Sequence, residues 1–123
     1  MKLGIVGTRT FDDFPKFVSN VDLFYKSEIH TGDAKGTDAM AREYAMVNEI
    51  PLTVHYADWD RYNRGAGPIR NIQLINSVDM ILAFWDNKSP GTKQVIEYCF
   101  KHHKPFMVVS IKSKDAQCIL KKI

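Results

Sequence analysis

Three short apolar runs constrain this chain more than any other feature: Leu3–Val6, Met80–Phe84 and Phe106–Ile111. None alternates apolar with polar residues, and each is shorter than an ordinary helix. Such runs read as strands covered on both faces. Between them the spacing turns helical. Phe14, Phe17, Val18, Val21, Phe24 and Tyr25 fall on one helix face, with Asp12 or Asp13 as N-cap and Pro15 in the first turn. Met40, Ala41, Tyr44, Ala45 and Val47 mark a second helix. Ile69, Ile72 and Ile75 mark a third, opened by Pro68. Val95, Ile96, Cys99 and Phe100 mark a fourth. Weaker strands are expected at Glu28–Thr31 and Leu52–Tyr56, and a short last helix around Asp115–Lys121.

Strand and helix in alternation at this spacing predict βαβ units and a parallel sheet. The expectation is one α/β domain over residues 1–123, with helices on both faces. It has about five parallel strands in the order 3-2-1-4-5. Leu3–Val6 and Met80–Phe84 should be neighbours at the centre.

A chain of 123 residues with 45% apolar residues can bury a core without staples. Cys99 and Cys118 are the only cysteines and form no CxxC, so neither a disulfide framework nor a zinc site is expected. No metal or cofactor is anticipated. No apolar run approaches the ~20 residues of a membrane span. The opening MKLGIVG lacks the apolar stretch and cleavage site of a signal peptide. These points lead to a cytoplasmic protein with no membrane partner. Residues 1–100 carry 11 Lys/Arg and 13 Asp/Glu, whereas residues 101–123 carry six Lys and one Asp. The basic excess is thus a C-terminal feature, and the body is not a nucleic-acid surface on charge.

The glycines are distributed unevenly. Of positions 4, 7, 32, 36, 65, 67 and 91, only Gly4 lies inside a predicted strand. The other six fall between a strand and the following helix, and none falls between a helix and the following strand. In an open parallel sheet those strand-to-helix loops share the carboxyl edge, where ligands bind. Helix N-termini there present unpaired N–H groups, which suit phosphate. Gly7-Thr8-Arg9-Thr10 follows the first strand. Gly32-Asp33-Ala34-Lys35-Gly36-Thr37-Asp38 follows the second, although it matches neither GxGxxG nor GxxxxGK[ST]. Ser89-Pro90-Gly91-Thr92 opens the fourth helix with two hydroxyls. The segment 57–67 reads as the longest loop, polar and aromatic. In it Trp59 or Tyr62 can stack on a base, and Asp58 or Asp60 can hold ribose hydroxyls. Arg70 and Asn71 are expected in the first turn of the next helix, pointing back at a phosphate.

Four ordered stretches, IVGTRTF, TGDAKGTDAMAREYA, ADWDRYNRGAGPIRN and AFWDNKSPGT, resemble the small stand-alone proteins of the SLOG superfamily, the Rossmann-like group of DprA and the Lonely Guy enzymes. The resemblance covers roughly residues 3–109 and implies a Rossmann-like sheet that binds nucleotides or nucleotide-derived ligands at its carboxyl edge. It also implies a homo-oligomer, dimer or higher. The binding positions it implies are Gly7, Thr8 and Arg9; Gly32, Lys35, Gly36 and Asp38; Asp58, Trp59, Gly67, Arg70 and Asn71; and Trp85, Ser89, Gly91 and Thr92. Thr37 joins them from the second loop.

The chain departs from the pattern twice. Asp33 replaces a glycine of the usual Gly-Gly-Ala. The hydrolase branch carries PGGxGTxxE, and Val95 stands at the position of its glutamate. Glu97 lies roughly 200° further around the helix and cannot substitute.

These residues lead to a module that senses or sequesters a phosphorylated nucleotide-derived ligand. The alternative is an enzyme cleaving an N-glycosidic bond, of phosphoribohydrolase or deoxyribosyltransferase type. That chemistry needs a carboxylate beside an oxocarbenium-like centre. Asp38, Asp58, Asp60 and Asp86 are available, with Asp86 preferred and Asp58 also a candidate. A raised pKa on one that faces an open pocket would favour the enzyme. Single-strand DNA binding comes third, because the body lacks a basic groove.

Overall fold

Alternate residues of the central strands point to opposite faces, and each face has its own core. Leu3 and Ile5 of β1 (Lys2–Gly7), with Leu82 and Phe84 of β4 (Met80–Trp85), pack against α1 (Phe14–Val21) and α2 (Thr37–Val47). Val6, Ile81 and Ala83 face the other way. They pack against Leu74 and Ile75 of α4 (Ala66–Asn76) and Val95 and Cys99 of α5 (Pro90–Lys101). The remaining elements are β2 (Glu28–Gly32), β3 (Leu52–His55), the single-turn α3 (Trp59–Tyr62) with a 3-10 turn over Asn63–Gly65, and β5 (Phe106–Ser110). The computed structural model describes residues 1–111. The expected helix at Asp115–Lys121 lies outside the described residues.

The five strands are all parallel, in the order β3-β2-β1-β4-β5. This is the single α/β domain, with helices on both faces, that the apolar runs predict. β1 and β4 are adjacent, with Ile5 opposite Leu82. The order in which strands are added reverses between β1 and β4, so the crevice at the switch point opens above those two strands.

Two helices differ from expectation. The first ends at Val21, and Tyr25 is solvent-exposed. Lys26 Nζ donates to the Val21 and Phe24 carbonyls at 3.1 and 2.8 Å. It thereby satisfies acceptors that a longer helix would have used internally. At its other end Asp13 is the cap, accepting from the Lys16 N–H at 3.1 Å.

The second difference is larger. Residues 57–67 are not a long loop. Asp58 caps α3, accepting from the Arg61 N–H, and the 3-10 turn feeds directly into α4 at Ala66. Pro68 therefore lies at the third helical position instead of opening the helix. It is tolerated because the first N–H groups of a helix have no internal partner. Arg70 and Asn71 accordingly fall in the second turn of α4.

Candidate functional site

The carboxyl edge holds a cleft of about 440 Å³. Its walls come from the loops after β1, β2 and β4 and from α4. Of the residues expected from sequence, Gly7, Thr8, Arg9, Gly32 and Asp38 line it, as do Arg70, Asn71, Asp86, Ser89, Gly91 and Thr92. Lys35, Gly36, Thr37, Asp58, Trp59, Gly67 and Trp85 do not. Thr10, Ala34 and Pro90, from the same predicted loops, and Val95, at the position of the hydrolase glutamate, also line the cleft, with Val6 from β1.

Several of the expected binding residues join the loops to one another. The Thr8 carbonyl accepts from the Thr37 N–H at 3.2 Å and the Thr37 hydroxyl at 3.0 Å. The Thr8 hydroxyl accepts from the Asp86 N–H at 3.1 Å and lies 3.3 Å from the Ser89 hydroxyl. Thr8 thus ties the first loop to the second and the fourth. The clasp depends on Gly36, and the Arg70–Asp38 arrangement on Gly32. Gly36 has φ +67°, and a Cβ there would run into the backbone of Thr8 and Arg9. A Cβ on Gly32 would lie 2.5 Å from both Arg70 Nη1 and Asp38 Oδ2. The N-terminus of α2, read from sequence as a phosphate loop, already has its Thr37 N–H bonded to Thr8.

The N-terminus of α5 is different. Ser89 is its N-cap residue but makes no side-chain cap hydrogen bond; its hydroxyl turns to Thr8. Gly91, in the first turn, has nothing within 4 Å of where a Cβ would be. Arg9, Thr10 and Thr92 line the same cleft.

Arg70 enters the cleft already paired. Its Nη1 donates to Asp33 Oδ1 at 2.6 Å and its Nε to Asn71 Oδ1 at 2.8 Å. Asp33, the residue in place of a glycine, therefore offsets the charge of Arg70. Asp38 is buried beside them and accepts from the Ala34 N–H at 3.2 Å. Burial pushes its pKa up, and Arg70, the Ala34 N–H, Arg42 and Thr31 only partly oppose this.

Asp86 goes the other way. Burial alone would raise its pKa, but the Ser89 and Lys88 N–H groups, with the Ser89 and Thr8 hydroxyls, hold it below the usual range. Its Oδ1 accepts from the Lys88 N–H at 2.9 Å and the Ser89 N–H at 2.7 Å, shaping the turn into α5.

Under α4, His30 and His55 sit in β2 and β3, as their sequence context suggests. Their rings share a 2.8 Å contact, and the far nitrogen of His30 meets Glu28. Burial, then the nearby His30 and Arg70, lowers the pKa of His55. Val95 is 1% exposed and forms apolar floor where the resemblance implies a carboxylate, while Glu97 is exposed outside the cleft. Among the described residues, no group of three or more His, Cys, Asp or Glu is arranged to hold a metal ion. No described helix is long and apolar enough to cross a membrane.

Fold and cleft together define a Rossmann-like parallel α/β domain with a crevice at its carboxyl edge. The chain is similar to the Gene 61 protein of Mycobacterium phage D29, with 35% identity over 68 residues. That stretch is 50% of this chain and 54% of the phage protein, so the chain spans about half the length of the relative it matches. No family model matches the chain, and no solved structure matches it.

Proposed function

We propose that the cleft binds a phosphorylated nucleotide-derived ligand, with its phosphate at the N-terminus of α5. The observation that carries this is the uncapped first turn of α5, open at Gly91 and flanked by Arg9, Thr10 and Thr92. Unpaired helix N–H groups beside a positively charged lining residue favour an anion. The volume suits a small metabolite. The four ordered loop motifs support placing the chain with the SLOG superfamily, and the module then senses or sequesters its ligand. Cytoplasmic location and a homo-oligomeric state belong to the same proposal. Native mass spectrometry of the purified protein tests it: a co-purifying nucleotide is expected. Arg9→Ala should weaken binding of AMP by about tenfold or more, as for a lost charge-assisted hydrogen bond. An unchanged affinity rejects the site.

One observation favours a second reading, N-glycosidic cleavage. Asp38 is a carboxyl group in the cleft with a raised pKa, the property a proton donor needs. Asp86, preferred on sequence, is held ionised by its turn and is unsuited to donate a proton. Asp58 and Asp60 belong to the α3 region outside the cleft. Incubation with nucleoside monophosphates, NAD and ADP-ribose, read for released base, decides between the readings. Sustained release that Asp38→Asn abolishes establishes the enzyme; no release leaves the binding module.

A further inference from the structure

We infer that edge strand β3 is held on the sheet by an acid-sensitive latch, the contacts that run from Glu28 through His30 to His55, and that doubly protonating the two imidazoles releases it. His30 Nδ1 and His55 Nε2 are 2.8 Å apart, and His30 Nε2 meets the Glu28 carboxylate. None of the three lines the cleft. His30 is 5% exposed, which leaves water little access to replace a lost partner.

The hydrogens follow from the geometry. An ionised Glu28 only accepts, so His30 Nε2 carries a hydrogen. In a neutral ring that makes Nδ1 the acceptor, and His55 donates to it from Nε2. One added proton leaves these contacts whole, because a single hydrogen still lies between the rings and the charge belongs to the pair. A second proton sets two N–H groups against each other across 2.8 Å and puts like charges on neighbouring strands. Glu28 balances one of those charges, and Lys2 stands opposite it in register on β1. Arg70 is the only charged residue of α4, and its Nη1 lies 3.4 Å from the His55 carbonyl and 2.6 Å from Asp33. Burial, then His30 and Arg70, accordingly hold the His55 pKa below 6.5.

Little else secures β3. It has four residues, Leu52–His55, none of them fully buried, and it pairs with β2 alone. Such elements open more readily than the core. Release also takes the His55 carbonyl away from Arg70, a residue of the cleft wall. The sign follows from the lowered pKa: stability from neutral His55 is fully present above about pH 6.5 and is lost as pH falls below it.

Hydrogen exchange on the whole protein from about pH 8 to about pH 4.5, an interval spanning the ordinary 6.5, tests this. Protection of the β3 amides, taken relative to β1 at each pH, should fall by about tenfold, as for one lost hydrogen bond to a charged group. His55→Gln supplies an amide that can donate to His30 Nδ1, or turn to accept from it, and does not titrate. Its relative β3 protection should stay constant. A constant ratio in the wild type overturns the latch, and so does an equal fall in His55→Gln. Nitrogen NMR of the wild-type imidazoles adds a reading that needs no variant. Both rings should carry their hydrogen on Nε2 at about pH 8, and a hydrogen on His55 Nδ1 instead overturns the inference.

Discussion

The Arg70 guanidinium lies 2.6 Å from the Asp33 carboxylate, a residue 37 positions earlier in the chain. A residue expected to receive the ligand's phosphate is thus held by the residue that replaces a glycine of the related loops. Replacing Asp33 by glycine releases Arg70 Nη1 toward the cleft. Asp33→Gly should therefore bind AMP more tightly than the wild type, measured by calorimetry. Arg70→Ala should act mainly on the fold. It strips the buried Asp38 of its nearest positive charge and should lower unfolding stability by roughly 1–3 kcal/mol. Urea titration reads that loss.

Gly32 and Gly91 should respond oppositely to the same substitution. A methyl group at Gly32 has no room between Arg70 and Asp38, and Gly32→Ala should destabilise by about 1–3 kcal/mol. At Gly91 the space is open, so Gly91→Ala should leave stability unchanged or slightly raised. Because Gly91 lines the cleft, its cost should fall on AMP affinity. Thermal unfolding and calorimetry on both variants separate the two effects.

Asp38 sets a pH dependence. Its folded pKa is raised above the ordinary 3.8, chiefly by burial. The folded state therefore holds this proton more tightly than the unfolded chain. The stability associated with the protonated form is fully present below about pH 3.8 and is lost as pH rises through the folded pKa. Asp38→Asn keeps an acceptor for the Ala34 N–H and carries no charge. It should be more stable than wild type at pH 7, and the gap should close toward acid pH. Unfolding midpoints from pH 3 to 8, an interval set by the shift from 3.8, test this.

Thr8 should behave as a structural clasp. Thr8→Val retains the shape but removes the acceptor for the Asp86 N–H and the contact with Ser89. The loss should be about 1–3 kcal/mol, the usual penalty for a buried polar group left without its partner. Hydrogen exchange at the Asp86 amide should rise more than at β1. Equal protection in the variant would exclude the clasp.

Local chemistry already carried much of this. The strands and helices follow from apolar runs and helical spacing, since those patterns report which faces must be buried; the glycines are then seen to gather at one edge. A cap at Asp12 or Asp13 and Glu97 as a residue turned away from Val95 were readable for the same reason, as each depends on neighbours a turn away; the structure gives the cap to Asp13. The path of residues 57–67 was not. Gly65 and Gly67 suggest a loop, yet the Asp58 cap and the packing of Trp59 on α4 make it helical. The roles of Thr8, Asp33 and Arg70 were also beyond reach of the sequence. Each depends on a partner about 29 to 81 residues away. Periodicity tells a residue which face it occupies, but only the registered parallel sheet decides which loops meet at its carboxyl edge. That meeting determined which charges were already paired and which donors stayed open.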